Sequence, residues 1–226
     1  MDPARSTGRR DLGYTSIDLV DRSTQSTRER LVEAARYLFW EKGYAATGLA
    51  EILTRADANS GSFYHFFDSK DALLRTVLST YIAHLEPQVI GPAWAATADP
   101  MARVFVLLDS YRQRLLDTDC RYGCPIGRLA FEIDPENTPA HELIARNFTS
   151  WKTAVEACLR AAGLPKPADV ATLVLTVMEG GVMQARAYRT IEPFDACVRQ
   201  LRLHLNAVAR TPRPRGTAVR RPRRRS

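Results

Sequence analysis

At 226 residues and 45% apolar content, the chain can hold one large domain or two small ones around a buried core. No apolar run reaches about 18 residues and the first 25 residues lack an apolar stretch, which excludes a membrane span and a secretory signal from the expected features. The formal charge of +7 comes from the end of the chain: Arg210 to Ser226 holds eight arginines and no acid, leaving residues 1–209 near −1. Bulk basicity is therefore weak ground for specific DNA binding, since such a tail attracts any polyanion.

Residues 1–25 mix Arg, Asp, Ser and Thr without a helical period. They are expected to form a disordered leader, with a minor-groove arm through Arg9, Arg10 or Arg22 as the alternative. The spacing of Leu31, Ala34, Ala35, Leu38 and Phe39 predicts a helix over Thr27–Lys42. Ser26 with Glu29 fits a capping box, and Gly43 ends the helix. A second helix is expected from Thr47 to about Arg55, with Thr47 as its cap. A turn at Ala56-Asp57-Ala58 follows. Asn59 caps a third helix that ends near Phe66, and Asp68 or Ser69 caps a fourth that runs to Pro87.

Pro87, Gly91, Pro92 and Pro100 mark Glu86 to Pro100 as a loop. A fifth helix carries Val104, Leu107, Leu108, Tyr111 and Leu115 in register. Gly123-Cys124-Pro125 opens a short sixth, which ends near Asp134, and Thr138-Pro139 opens a seventh. Gly163 to Pro167 breaks the chain before an eighth helix, about Ala168 to Arg189, and a ninth, about Pro193 to Arg210. No stretch alternates like a strand. The expected class is all-α with about nine helices, followed by a disordered Arg-rich tail over residues 211–226.

The stretch from Thr47 to Lys70 has the layout of a helix-turn-helix, in which a short second helix meets base edges and its flanks meet phosphates. Gly61 permits close backbone approach. Ser62, Tyr64 and His65 offer donors to phosphate oxygens, and Thr47 and Lys70 flank the groove. Residues 26–80 carry seven basic and seven acidic side chains, so binding depends on local placement of charge. Phe66 and Phe67 are expected to pack the small core.

This stretch, TGLAEILTRADANSGSFYHFFDSKDALL with Phe39, Gly43 and Tyr44 before it, resembles the DNA-binding domain of the TetR family of bacterial regulators. The resemblance covers about residues 26–75. It implies phosphate contacts from Thr47, Tyr64, His65 and Lys70, and a groove-facing edge of Asn59, Ser60, Gly61, Ser62 and Phe63. Ser60 departs from the lysine common in the family. The resemblance further implies that residues 76–210 form a helical ligand-binding and dimerisation domain, and that the partners are double-stranded operator DNA, a small-molecule effector and a second copy joined through the last two helices. No cofactor is expected, and no metal, since no Cys, His or acidic partner sits at ligand spacing from His65.

The segment Tyr122-Gly123-Cys124-Pro125-Ile126-Gly127-Arg128-Leu129-Ala130-Phe131-Glu132 resembles the GCPxGxLAxE-like segment of the LmrA/YxaF-like subgroup. Cys124 then opens a helix beside the ligand cavity. There the helix dipole, with Arg121 and Arg128 near in sequence, favours a thiolate able to sense an electrophile or oxidant. The alternative is a small buried residue that caps and packs. Phe105, Tyr111, Phe131, Phe148, Trp151 and Met178 are candidates to line the cavity with Cys124, which suits a small apolar or aromatic effector. Glu179-Gly180-Gly181, mid-helix, suggests a close helix approach at a two-fold interface.

The function expected is a ligand-responsive DNA-binding transcriptional regulator, most simply a repressor, on a pseudo-palindromic operator. Four scattered cysteines do not form a disulfide framework, so the cytoplasm is the expected compartment. A non-specific architectural nucleic-acid-binding protein, using the arginine tail, is one alternative. An enzyme using the helical cavity is a weaker one: no phosphate loop, nucleophile elbow or metal motif is present, and only Cys124 with His141 offers a nucleophile and a base.

Overall fold

The computed structural model describes residues 25–210, and among these every regular element is a helix. The arginine-rich tail and all of the expected leader except Gln25 lie outside the described residues. Helix α1 spans Thr27–Lys42, α2 Leu49–Ala56, α3 Ser60–Phe66 and α4 Lys70–His84. α4 passes without a break into a π-helical turn, Leu85–Ile90, and a short α5, Gly91–Ala95. Then follow α6 Pro100–Asp117, α7 Pro125–Glu132, α8 Thr138–Ala161, α9 Pro167–Tyr188 and α10 Glu192–Arg210. No helix among the described residues is long and apolar enough to cross a membrane.

The caps read from the sequence hold the first helices. Ser26 and Glu29 exchange bonds at the start of α1. Asn59 Oδ1 accepts from the Ser62 amide at 2.8 Å, and Ser69 Oγ accepts from the Ala72 amide at 3.1 Å. Gly43 ends α1 with φ +93°, which L side chains rarely adopt. Thr47 is not the cap of α2, which starts at Leu49. Its hydroxyl is buried and donates to the Gly43 carbonyl at 2.6 Å, within the turn.

The expected loop from Glu86 to Pro100 is mostly helical. Pro87 and Pro92 have no N–H, and a proline ring clashes with the carbonyl four residues back. A π turn widens the spiral at that point, and the Gly91 amide donates five residues back to Glu86. Burial of Ile90 and Ala93 holds the segment against the body.

Two apolar clusters organise the molecule. One joins α6, α8, α9 and α10, with Phe194, Leu201 and Leu205 of α10 buried. The other is the core of α1–α4. It does not close on itself: Ile126, Leu129 and Ile133 of α7 and its C-terminus, with Ala140 and Ile144 of α8, complete it. Gly181 explains part of the mid-helix glycine pair. A Cβ there would lie 3.0 Å from the Phe194 ring and 3.3 Å from its Cα, so α10 of the same chain makes the close approach. Gly180 faces open space.

Candidate nucleic-acid interface and internal cavity

Helix α3 is seven residues long and turns about 100° per residue, so Phe63 and Phe67 share its inner face. Phe63 is 0% exposed, with ring centroids 5.2 Å from Tyr64 and 5.8 Å from Phe67. It cannot face a groove, and that expectation is corrected. Asn59, Ser60, Gly61, Tyr64 and His65 are exposed and Ser62 is half-buried, so a continuous polar edge remains. Tyr64 is 59% exposed. Phe66 lies outside the core at 39% exposure, its ring edge-on to His65.

The flanking residues differ from expectation in one respect. The Thr47 hydroxyl is spent on the Leu38 and Gly43 carbonyls, so its side chain is not available to a phosphate. Lys70 is half-buried. Its Nζ donates to the Tyr44 carbonyl at 2.7 Å and sits 4.2 Å from the Tyr44 ring centroid, which leaves further ammonium donors. The pairing of Tyr44 with Glu132, and of Arg128 with the end of α1, was not foreseen from the sequence. Both contacts join residues 87 or 88 apart in the chain.

A cavity of about 410 Å³ lies between α4, the π turn and α6–α9. Tyr111, Cys124, Phe148, Trp151 and Met178 line it, as expected. Phe105 does not. Six residues before Tyr111 on α6, it turns to another face and packs beneath the Arg202 guanidinium, 3.7 Å from its ring centroid. Phe131 does not either. It is 89% exposed, because Ile126, Leu129 and Ile133 take the inward stripe of α7. Tyr81, His84 and Glu179 are among the other residues of the lining. Glu179 was legible as an acid in the middle of an apolar helix, and His84 lies at the end of the predicted fourth helix.

The cavity's polar groups include charged ones: Arg36, Arg114 and Glu179 line it together with His84. Glu179 Oε1 and Trp151 Nε1 are buried without a hydrogen-bond partner. Burial pushes the Glu179 carboxyl above its usual range, opposed by a bond from the Cys124 thiol. Burial, then the charge of Glu179, pushes the Cys124 thiol well above its usual value. Of the two readings of Cys124, the thiolate is therefore disfavoured: desolvation beside a carboxylate outweighs the dipole of an eight-residue helix. Arg128 gives it no help, since its guanidinium turns to the end of α1. Cys124 instead caps α7, its Sγ accepting from the Gly127 amide at 3.4 Å. A Cβ on Gly127 would come within 2.6 Å of Glu179 Oε2, so the glycine makes room for the acid. His141 engages the Ile133 carbonyl rather than Cys124. His84 is lowered by burial and by the nearby charge of Arg36, so it is biased towards the neutral ring.

Glu179 makes stability depend on pH. Its folded pKa lies above its unfolded one, so the fold keeps a proton that the unfolded chain releases. The contribution is whole below the unfolded value and falls as pH rises through the folded one. Glu179→Gln is expected to melt like the wild type near pH 4 and about 2–4 °C higher at pH 8. Calorimetry across that range checks it; an offset independent of pH would remove Glu179 as the titrating group.

The N-terminal segment, residues 31–77, matches the profile of bacterial regulatory proteins of the tetR family. Residues 100–200 match the C-terminal domain of LmrA/YxaF-like transcriptional regulators. A helix-turn-helix transcriptional regulator of Mycobacterium tuberculosis (strain H37Rv) is 31% identical over 185 residues, covering 79% of this chain and 93% of that protein. The transcriptional repressor DhaR of Mycobacterium sp. (strain GP1) is 26% identical, covering 74% of this chain and 86% of DhaR. Among solved structures, the reduced form of Escherichia coli NemR shares the fold with a TM-score of 0.70 at 22% identity, covering 84% of this chain and all of that one.

Proposed function

Because this chain belongs to the TetR family of bacterial transcriptional regulators, we propose that it represses transcription from a pseudo-palindromic operator as a homodimer and lets go when a small, largely apolar effector fills the cavity. Residues 26–75 serve as the DNA-binding domain, and residues 76–210 bind the effector and pair the two copies, in the cytoplasm. The observation that carries this reading is α7. Cys124, Pro125 and Ile126 at its start line the cavity, while Arg128 and Glu132 at its end hold the turn between α1 and α2. One rigid element thus touches both sites, and an effector that favours one position of α7 shifts DNA affinity by its differential binding.

The groove edge runs from Asn59 to Ser62, with Tyr64, His65 and Lys70 on phosphates. Dimerisation uses the outer stripe of α9, with Thr172, Leu173, Thr176 and Met183 exposed and Gly180 half-buried, together with Leu203 of α10. A dimer answers a geometric need, since two recognition helices one DNA turn apart double the contacts.

The test is selection of duplexes from a random pool by the full-length chain, followed by affinity measurement. A palindromic consensus is expected, and Tyr64→Ala with His65→Ala should weaken it by roughly 10- to 100-fold while leaving the melting temperature within a few degrees. Binding without sequence preference, unchanged by these substitutions, would favour the architectural alternative.

A further inference from the structure

The contacts between α7 and the α1–α2 turn form a continuous polar circuit. α1 ends with carbonyls that no further helical turn satisfies. Arg128 takes up two of them: Nη1 donates to the Glu41 carbonyl at 3.2 Å, and Nη2 donates to the Lys42 carbonyl. Its Nε pairs with Glu132, one turn along α7. Glu132 Oε2 in turn accepts from the Tyr44 amide at 2.7 Å and the Ala45 amide at 3.4 Å. The backbone of Tyr44 carries the circuit on, because its carbonyl accepts from Lys70 Nζ at 2.7 Å. A positive guanidinium at the negative end of α1 is favourable, and each of these bonds involves a charged partner, which strengthens it. Gly43 fits the same purpose. A Cβ there would run into the Glu132 carboxylate.

The circuit ends on the one cation expected at the DNA edge beside α3. Burial lowers the Lys70 ammonium, and the Glu132 charge opposes that shift. The small core points the same way, since α1–α4 are closed by Ile126, Leu129 and Ile133 of the helix that carries Arg128 and Glu132.

We propose that Glu132, held by Arg128, is a positioning residue for DNA binding: it sets the α1–α2 turn from the ligand-binding half and so places Lys70 on its phosphate. The inference rests on the DNA-binding reading above. A residue that only stabilised the fold would lower the melting temperature without changing how many phosphates are neutralised. A positioning residue changes that number.

The experiment uses the full chain and a duplex selected by the wild type. Glu132→Ala is expected to lose about tenfold in affinity and to reduce the slope of log affinity against log salt by about one, the signature of one lost phosphate contact. Lys70→Ala should do the same. The double variant should be no worse than either, since both break one chain of bonds. Glu132→Gln keeps an oxygen for the Tyr44 amide and should recover affinity to within about threefold. If Glu132→Ala melts far below the wild type, Glu132→Asp carries the comparison, with the same slope change and the same non-additivity with Lys70→Ala. An unchanged slope, or losses that add with Lys70→Ala, overturns the inference while leaving the regulator reading intact. A wild type that selects no sequence overturns both, whereas a normal wild type with a sensitive Tyr64 isolates the failure to Glu132.

Discussion

Phe63→Ala is expected to cost about 3–5 kcal/mol of stability and, with it, DNA binding at 37 °C. The side chain is fully buried in a core made from α1–α4 and closed by residues of α7 and α8. Removing the ring leaves a cavity beside Phe67 that so small a core cannot collapse to fill. Phe63→Leu keeps most of the buried volume. It should lose stability by about 1–2 kcal/mol and retain the selected operator within a few-fold. Calorimetry and affinity together decide the matter. If Phe63→Ala kept the wild-type melting temperature and lost only DNA, the ring would be a contact and not a core residue. The comparison matters because Phe63 sits inside the segment whose other members are exposed, and sequence position alone assigns it to the groove.

Met183→Glu combined with Leu203→Glu is expected to convert the protein to a monomer and to weaken operator binding by about 100-fold or more. Both residues are large, apolar and more than 60% exposed in the single chain. On α9, Met183 shares one stripe with Thr172, Thr176 and Gly180, and the open space around Gly180 lets another backbone approach. A two-fold interface repeats every residue, so each substitution buries two unpaired carboxylates near the axis. Sedimentation velocity measures the first effect and titration of the selected duplex the second. A double variant that remains dimeric would move the interface elsewhere. A monomer with wild-type affinity would remove the need for paired half-sites.

The exposed polar edge of α3 was legible because it depends on local signals. Asn59, Ser69 and Ser26 are caps whose chemistry acts within three residues, and the exposed face of α3 follows from one helical period. The cavity was half legible. Tyr111, Phe148, Trp151 and Met178 lie on apolar faces of predicted helices, and these do meet. Phe105 and Phe131 have the same apolar character, but helix rotation alone decides which face looks inward, and composition does not report rotation. The helical run through Pro87 and Pro92 was hidden for a related reason. The breaker signal is real, yet burial of Ile90 and Ala93 and a change to π bonding offset it.

Sequence by itself determined the all-helical class, the caps of the first helices and the family, because periodicity, capping and motif spacing are properties of neighbouring residues. Tertiary structure alone decided the state of the chemistry. Burial, then the charge of Glu179, 55 residues away in the chain, pushes the Cys124 thiol above its usual range and disfavours the thiolate. Thr47 is a buried strut of the turn, and Glu132 lies against Tyr44 and within reach of Lys70's field, because α7 folds back onto α1. Desolvation and charge act through space, so the groups that set them are found only once the chain has brought its distant parts together.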